Sequence, residues 1–66
     1  MTRFERDLET ARTDLDELDI ILRERKAELE SLWEKGTKER NPFRVKCIAQ
    51  EYNRLAEQYE ELTQYI

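Results

Sequence analysis

The sequence contains no histidine, and cysteine, glycine and proline each occur only once in 66 residues. A single cysteine excludes an internal disulfide and argues against a small secreted scaffold held together by disulfides. Without histidine, no catalytic triad that uses one can form, and a zinc site would need Cys47 together with carboxylates alone. No apolar run approaches the ~20 residues of a membrane span, and no signal-peptide core follows Met1. These absences predict a non-enzymatic, cytoplasmic chain without metal or cofactor, and Met1 favours a complete one.

Charged residues make up 42% of the chain, and 16 acidic side chains outnumber 12 basic ones to give a net charge of −4. Such an acidic chain offers no basic surface for nucleic-acid phosphates or for an anionic membrane. Four carboxylates stand close together in residues 14–19, as in some acid–base or metal sites. On a helix, however, most of them face water, so we expect a solvated surface.

The apolar residues recur at alternating steps of three and four along the whole chain, as in a helical heptad pattern. In the first half this stripe consists of Phe4, Leu8, Ala11, Leu15, Leu18, Leu22, Leu29 and Leu32, with Arg25 at one core position. In the second half it consists of Val45, Ile48, Tyr52, Leu55, Tyr59, Leu62 and Ile66. The period-two alternation of strands is missing, so the fold is predicted to be all-α.

Local signals predict where the helices begin and end. Thr2 and Glu5 fit a capping box, and Asn41 followed by Pro42 is typical of a second helix start. Gly36 is predicted to end the first helix in a left-handed conformation. The result is one domain over residues 1–66, an antiparallel two-helix hairpin with helix 1 at about 3–35 and helix 2 at about 42–65.

The heptads also predict which residues face each other across this hairpin. In the expected register the facing pairs are Leu32 with Val45, Leu29 with Ile48, Arg25 with Tyr52, Leu22 with Leu55, Leu18 with Tyr59, Leu15 with Leu62 and Ala11 with Ile66. Arg25 is expected to stack on Tyr52 in a cation–π contact. A shift by one heptad would conflict with breaks at Gly36 and Pro42.

Two helices that cross once cannot cover all the apolar side chains, and the surplus predicts a partner. In this register Phe4 and Leu8 overhang the end of helix 2. The stripe of helix 2 is widened by alanines beside the seam, which suits contact with more than one neighbour. The predicted partner-binding residues are Phe4, Leu8, Ile21, Ala49, Tyr52, Ala56 and Tyr59.

Other features have plain alternatives. The tyrosines Tyr52 and Tyr59 also suit core packing with their hydroxyls at the surface. Three further aromatic residues could anchor a partner at an interface, namely Trp33, Phe43 and Tyr65. For Trp33 and Phe43 the alternative is that they pack locally at the hairpin tip. Asn41-Pro42-Phe43 matches a short adaptor-binding motif but is better explained as a helix start. Cys47 is predicted to be a free surface thiol.

The chain resembles the small needle-subunit co-chaperones of type III secretion systems. The resemblance spans the full length and is carried by the acidic and apolar first turn after Met1-Thr2, the long first helix, the turn at Lys35-Gly36-Thr37 and the aromatic Phe43 at the entry to helix 2. The Asn41-Pro42 start departs from that pattern. The resemblance implies a bacterial cytoplasmic protein that binds a tetratricopeptide-like (TPR-like) co-chaperone and helps to keep the needle subunit monomeric.

Two other functions stay open from the sequence. Two copies of the hairpin could associate into a four-helix bundle that acts as a scaffold or a small regulator. The acidic first half could instead belong to an inhibitor that imitates nucleic acid or occludes an enzyme. All three alternatives are interaction functions, and an enzyme lacks any recognisable set of catalytic residues.

Overall fold

The structure, a computed structural model that describes residues 1–66, consists of three helices and no strands. Helix α1 spans Arg3–Thr13, α2 spans Leu15–Lys38 and α3 spans Pro42–Thr63. The prediction of an all-helical chain is confirmed, whereas the prediction of a two-helix hairpin is matched only in part, because the chain has three helices. The predicted first helix over 3–35 is divided, and its N-terminal part folds back along the rest.

The division lies at Asp14, which ends α1 and begins α2. Its backbone is extended, with φ −147° and ψ 98°, and its amide donates to Thr10 O. Its side chain accepts hydrogen bonds from the amides of Asp16 and Glu17, at 3.1 and 3.2 Å. An aspartate that caps the next helix in this way competes with continuation of the previous one. The carboxylates of residues 14–19 therefore include a helix cap.

The predicted helix starts at Thr2 and Asn41 are confirmed. Thr2 Oγ1 accepts from the Glu5 amide at 3.1 Å, and the Thr2 amide donates to Glu5 Oε1 at 3.4 Å, which completes the capping box. Asn41 Oδ1 accepts from the Phe43 amide at 2.9 Å, and Pro42 occupies the first helical position.

The predicted helix end at Gly36 is wrong. No glycine has a positive φ, and α2 continues past Gly36 to Lys38. The turn follows at Glu39, whose carboxylate accepts hydrogen bonds from the amides of Arg40 and Asn41, both at 3.1 Å. These bonds stabilise the chain reversal without a left-handed residue.

The longer α2 changes the pairing of α2 with α3. Gly36, rather than Leu29, lies beside Ile48, and Tyr52 stacks on Trp33 with the ring centroids 5.9 Å apart. Arg25, predicted to face Tyr52, instead donates to Gln58 Oε1 at 2.9 Å. The register is therefore shifted by about one heptad from the predicted one, because α2 continues past the predicted break at Gly36 to Lys38.

Replacement of Gly36 by alanine is expected to stabilise the protein by up to about 1 kcal/mol. Glycine is a poor helix former, and Gly36 has helical neighbours on both sides. An added methyl carbon would lie 3.5 Å from Ile48 Cγ2, which is ordinary van der Waals contact. Urea unfolding of Gly36→Ala measures the change. A loss of stability would instead indicate the left-handed helix end that the sequence suggested.

Helix α1 packs antiparallel to α2, so the predicted overhang of Phe4 and Leu8 is wrong. Arg3 binds Glu28 through two hydrogen bonds of 2.8 and 2.9 Å, and one turn later in α1 Asp7 contacts Arg25.

The hydrogen bond from Arg3 is the main cause that lowers the pKa of Glu28 below its ordinary value of 4.5. This half-exposed pair therefore stabilises the fold above pH 4.5, and the effect disappears as the pH falls through the lowered pKa.

The core lies where all three helices meet. Its buried apolar residues are Ala11, Leu18, Leu22 and Leu62, and the partly buried residues packed against it are Phe4, Leu8, Ile21, Tyr59 and Tyr65. All six buried residues of the chain lie in this three-helix end. At the other end, beyond the start of α1, α2 and α3 form a two-helix end without a buried residue. The molecule measures 42 × 20 × 17 Å.

Candidate functional site

The most distinctive polar feature is a buried ion pair between α1 and α2. Arg25 is only 2% exposed and Asp7 only 8%. Arg25 Nε donates to Asp7 Oδ2 at 2.8 Å, and Nη1 donates to Gln58 Oε1 at 2.9 Å. Nη2 lies 2.7 Å from the same Asp7 oxygen, but it is not oriented for a hydrogen bond and is a buried nitrogen without an acceptor. Arg25 thus joins all three helices.

Arg25 also meets an aromatic ring, although not the predicted one. Its guanidinium carbon lies 5.8 Å from the centroid of Phe4, within the range of a cation–π contact. The predicted partner Tyr52 lies on Trp33 instead. The arginine at a core position of the heptad is therefore a structural residue that fixes α1 on the α2–α3 pair.

Two adjoining open grooves run along α2 and α3. The first, of about 500 Å³, is lined by Lys26, Leu29, Glu30, Trp33, Tyr52 and Tyr59. The second, of about 330 Å³, is lined by Leu32, Trp33, Gly36, Thr37, Val45, Ile48, Ala49, Tyr52 and Asn53. Trp33 and Tyr52 belong to both, so the grooves form one continuous surface, which we call the aromatic face.

The aromatic face lies on the side of the α2–α3 pair away from α1. No residue of α1 lines either groove. Glu28, which binds Arg3 of α1, and Glu30, which lines the first groove, are two residues apart. Residues two apart on a helix point about 160° apart around its axis. Helix α1 therefore covers one side of the pair and leaves the other open.

Trp33 is the largest side chain of the aromatic face and is 64% exposed. Its one ring partner is Tyr52, tilted by 54°. Phe43 at the hairpin tip is 73% exposed, so the alternative in which Phe43 packs there is wrong. An aromatic pair on an apolar groove is typical of the central anchors of protein interfaces.

The structure separates the predicted partner-binding residues into two groups. Phe4, Leu8 and Ile21 are half-buried against the core. Ala49, Tyr52 and Tyr59 line the aromatic face, and the half-buried Ala56 lies on α3 one turn after Tyr52. The heptad pattern places Leu29, Leu32, Val45 and Ile48 at the helix seam, and it does not predict that they also line a groove. Trp33, directly after the seam residue Leu32, was the available signal.

The remaining candidates have simple surroundings. Cys47 is exposed, as predicted. Asp19 forms an ion pair of 2.8 Å with Arg23 one turn later, and both side chains are exposed. Nowhere do three or more Cys, Asp or Glu side chains come together in an arrangement that could hold a metal ion. None of the three helices is long and apolar enough to cross a membrane.

Comparisons of this chain with models of known protein families, with curated proteins and with solved structures find no match. A function is therefore inferred from the geometry of the aromatic face.

Proposed function

We propose that this protein is a non-enzymatic interaction module that buries its aromatic face against another polypeptide chain. The observation that carries the proposal is the pair Trp33 and Tyr52, which stack on each other in the open groove between α2 and α3. A contiguous apolar groove with a mostly exposed tryptophan loses unfavourable contact with water when a partner covers it.

The shape of the aromatic face suits a helix of the partner. Two antiparallel helices leave a groove between them, and a third helix on that side would complete a bundle as α1 does on the other. Ala49, which lines the groove, is exposed and small, so it allows a close approach of the partner backbone. Helical-repeat proteins present such helices in series.

The resemblance to needle-subunit co-chaperones supplies a narrower form of this proposal. In that form the partner is a TPR-like co-chaperone in the bacterial cytoplasm, and the complex keeps the needle subunit monomeric. The division of the first helix at Asp14 departs from the long first helix on which the resemblance partly depends. The aromatic face supports a helical partner in general, and the resemblance alone points to this one.

Loss of the aromatic pair is expected to disrupt the complex. Trp33→Ala and Tyr52→Ala should each weaken binding by about 2 kcal/mol or more, roughly thirtyfold, because both anchor side chains line both grooves. Co-expression of the chain with a TPR-like co-chaperone, followed by co-purification and calorimetry, measures this effect.

Phe43→Ala is the matched control, since it removes an aromatic ring that, like Trp33, is mostly exposed but that lines neither groove. Circular dichroism establishes that all three variants remain helical. If Phe43→Ala weakens the complex as much as Trp33→Ala does, the aromatic face is not the binding surface. If no complex forms with the TPR-like protein, the narrower form of the proposal is wrong.

A further inference from the structure

The charge of the molecule is unevenly distributed along its long axis. Residues 33–50, which form most of the two-helix end, carry five basic and two acidic side chains, a net charge of +3. Residues 1–32 and 51–66 together carry seven basic and fourteen acidic side chains, a net charge of −7. Two copies placed side by side in opposite directions therefore bring the basic end of each against the acidic end of the other.

The exposed edge of the aromatic face on α3 has the same symmetry in detail. Lys46, Asn53 and Glu60 recur at intervals of seven residues, so they lie in one row along the helix. All three are exposed, and Asn53 lines the second groove. A twofold axis at Asn53 would place Lys46 of one copy opposite Glu60 of the other, twice in the dimer.

The two alanines of the α3 stripe fit the same axis. Ala49 and Ala56 lie at nearly equal distances before and after Asn53 on α3. In an antiparallel pair of α3 helices centred at Asn53, Ala49 of one copy therefore lies close to Ala56 of the other. Small side chains at the crossing allow the helices to approach closely. The surface is thus complementary to itself in charge and in shape, which an isologous interface requires.

We infer that a second copy of this chain occupies the aromatic face, in an antiparallel twofold dimer centred near Asn53. This inference rests on the proposed function, because it names the partner that covers the same face. The dimer would have four long helices at its centre, two from each copy, with each α1 on the outside.

A charge-reversal cycle tests the inference. In sedimentation equilibrium, Lys46→Glu and Glu60→Lys are each expected to raise the dimer dissociation constant about tenfold, because each creates two like-charge contacts at the dimer rim. The double variant Lys46→Glu/Glu60→Lys should return close to the wild-type value. High salt should weaken the wild-type dimer and reduce the difference between the variants.

Arg44→Glu is the matched control. It makes the same change in net charge as Lys46→Glu. Arg44 lies two residues before Lys46 and points about 160° away from it around the helix. Arg44→Glu is therefore expected to leave the dissociation constant nearly unchanged. Equal effects of the two variants, or no recovery in the double variant, would overturn the inference. So would a wild-type chain that stays monomeric up to high micromolar concentration.

The inference and the proposed function can fail separately. A monomeric chain that loses a TPR-like partner upon Trp33→Ala would show that this partner, and not a second copy, covers the aromatic face. A dimer whose dissociation constant is unaffected by Trp33→Ala and Tyr52→Ala would show that self-association uses another surface. That result would overturn the inference and leave the proposed function to the co-purification test.

Discussion

Replacement of Asp7 by alanine is expected to lower the free energy of unfolding by about 3–5 kcal/mol, because it leaves a buried arginine without its counter-ion. Arg25 is 2% exposed and cannot reach water without displacing α1. A domain of this size has a total stability of only about 3–10 kcal/mol at typical values per residue. We therefore expect Asp7→Ala to be largely unfolded or to lose the packing of α1, as measured by circular dichroism and urea unfolding.

Two further variants separate the charge effect from simple loss of packing. Glu28→Gln breaks the half-exposed pair with Arg3 on the same two helices and should cost less than about 1 kcal/mol. Asp7→Leu/Arg25→Met removes both buried charges and should recover most of the stability lost in Asp7→Ala, because an apolar pair needs no counter-ion. If Asp7→Ala costs no more than Glu28→Gln, the ion pair is not buried between α1 and α2.

Truncation of Leu62 is the second large effect that we expect. Leu62 is fully buried in the three-helix core, and Leu62→Ala should lower the free energy of unfolding by about 2–5 kcal/mol. The loss combines the transfer of the removed methyl groups with the cavity that remains where α1, α2 and α3 meet. Urea unfolding at neutral pH measures it.

Leu15→Ala is the matched control and also tests the register. In the register predicted from the heptads, Leu15 and Leu62 face each other and would lose similar amounts on truncation. In the structure Leu15 is 60% exposed, so Leu15→Ala should change stability by no more than about 0.5 kcal/mol. Similar losses for the two variants would support the two-helix hairpin and contradict the three-helix fold.

The helical class and two of the helix starts were predictable because their signals are local. The heptad stripe, the capping box at Thr2 and the Asn41-Pro42 pair act through neighbouring residues. The break at Asp14 was missed because the apolar stripe continues through it without a change of period. The local signal was there, since Asp14 and Glu17 have the spacing of a helix cap and its third residue.

The register was not predictable because it depends on where α2 ends. Gly36 is the sort of residue that ends a helix, yet α2 continues past it, and Glu39 stabilises the turn instead. With that extension, the contacts of Gly36 with Ile48, Trp33 with Tyr52 and Arg25 with Gln58 are displaced by about one heptad from the predicted pairs. Heptad patterns look the same after such a shift, so the hydrophobic periodicity cannot distinguish the two arrangements.

The candidate site was predictable in part. The wide stripe of the last helix identified Ala49, Tyr52 and Tyr59, because helix faces follow directly from spacing. Phe4 and Leu8 were assigned to a partner because the fold-back of α1 was missed. Their packing against the core shows that the chain itself covers one side of the α2–α3 pair, which leaves the aromatic face as the uncovered side.

The fluorescence of Trp33 is the most direct test that the aromatic face binds another polypeptide chain. Trp33 is the only tryptophan of the chain, and it is 64% exposed in the single molecule. If a partner or a second copy buries Trp33, its emission should shift to shorter wavelength and iodide should no longer quench it. Both changes should occur at the concentrations where sedimentation detects a complex. A complex in which Trp33 keeps the emission and quenching of the monomer would contradict the proposal.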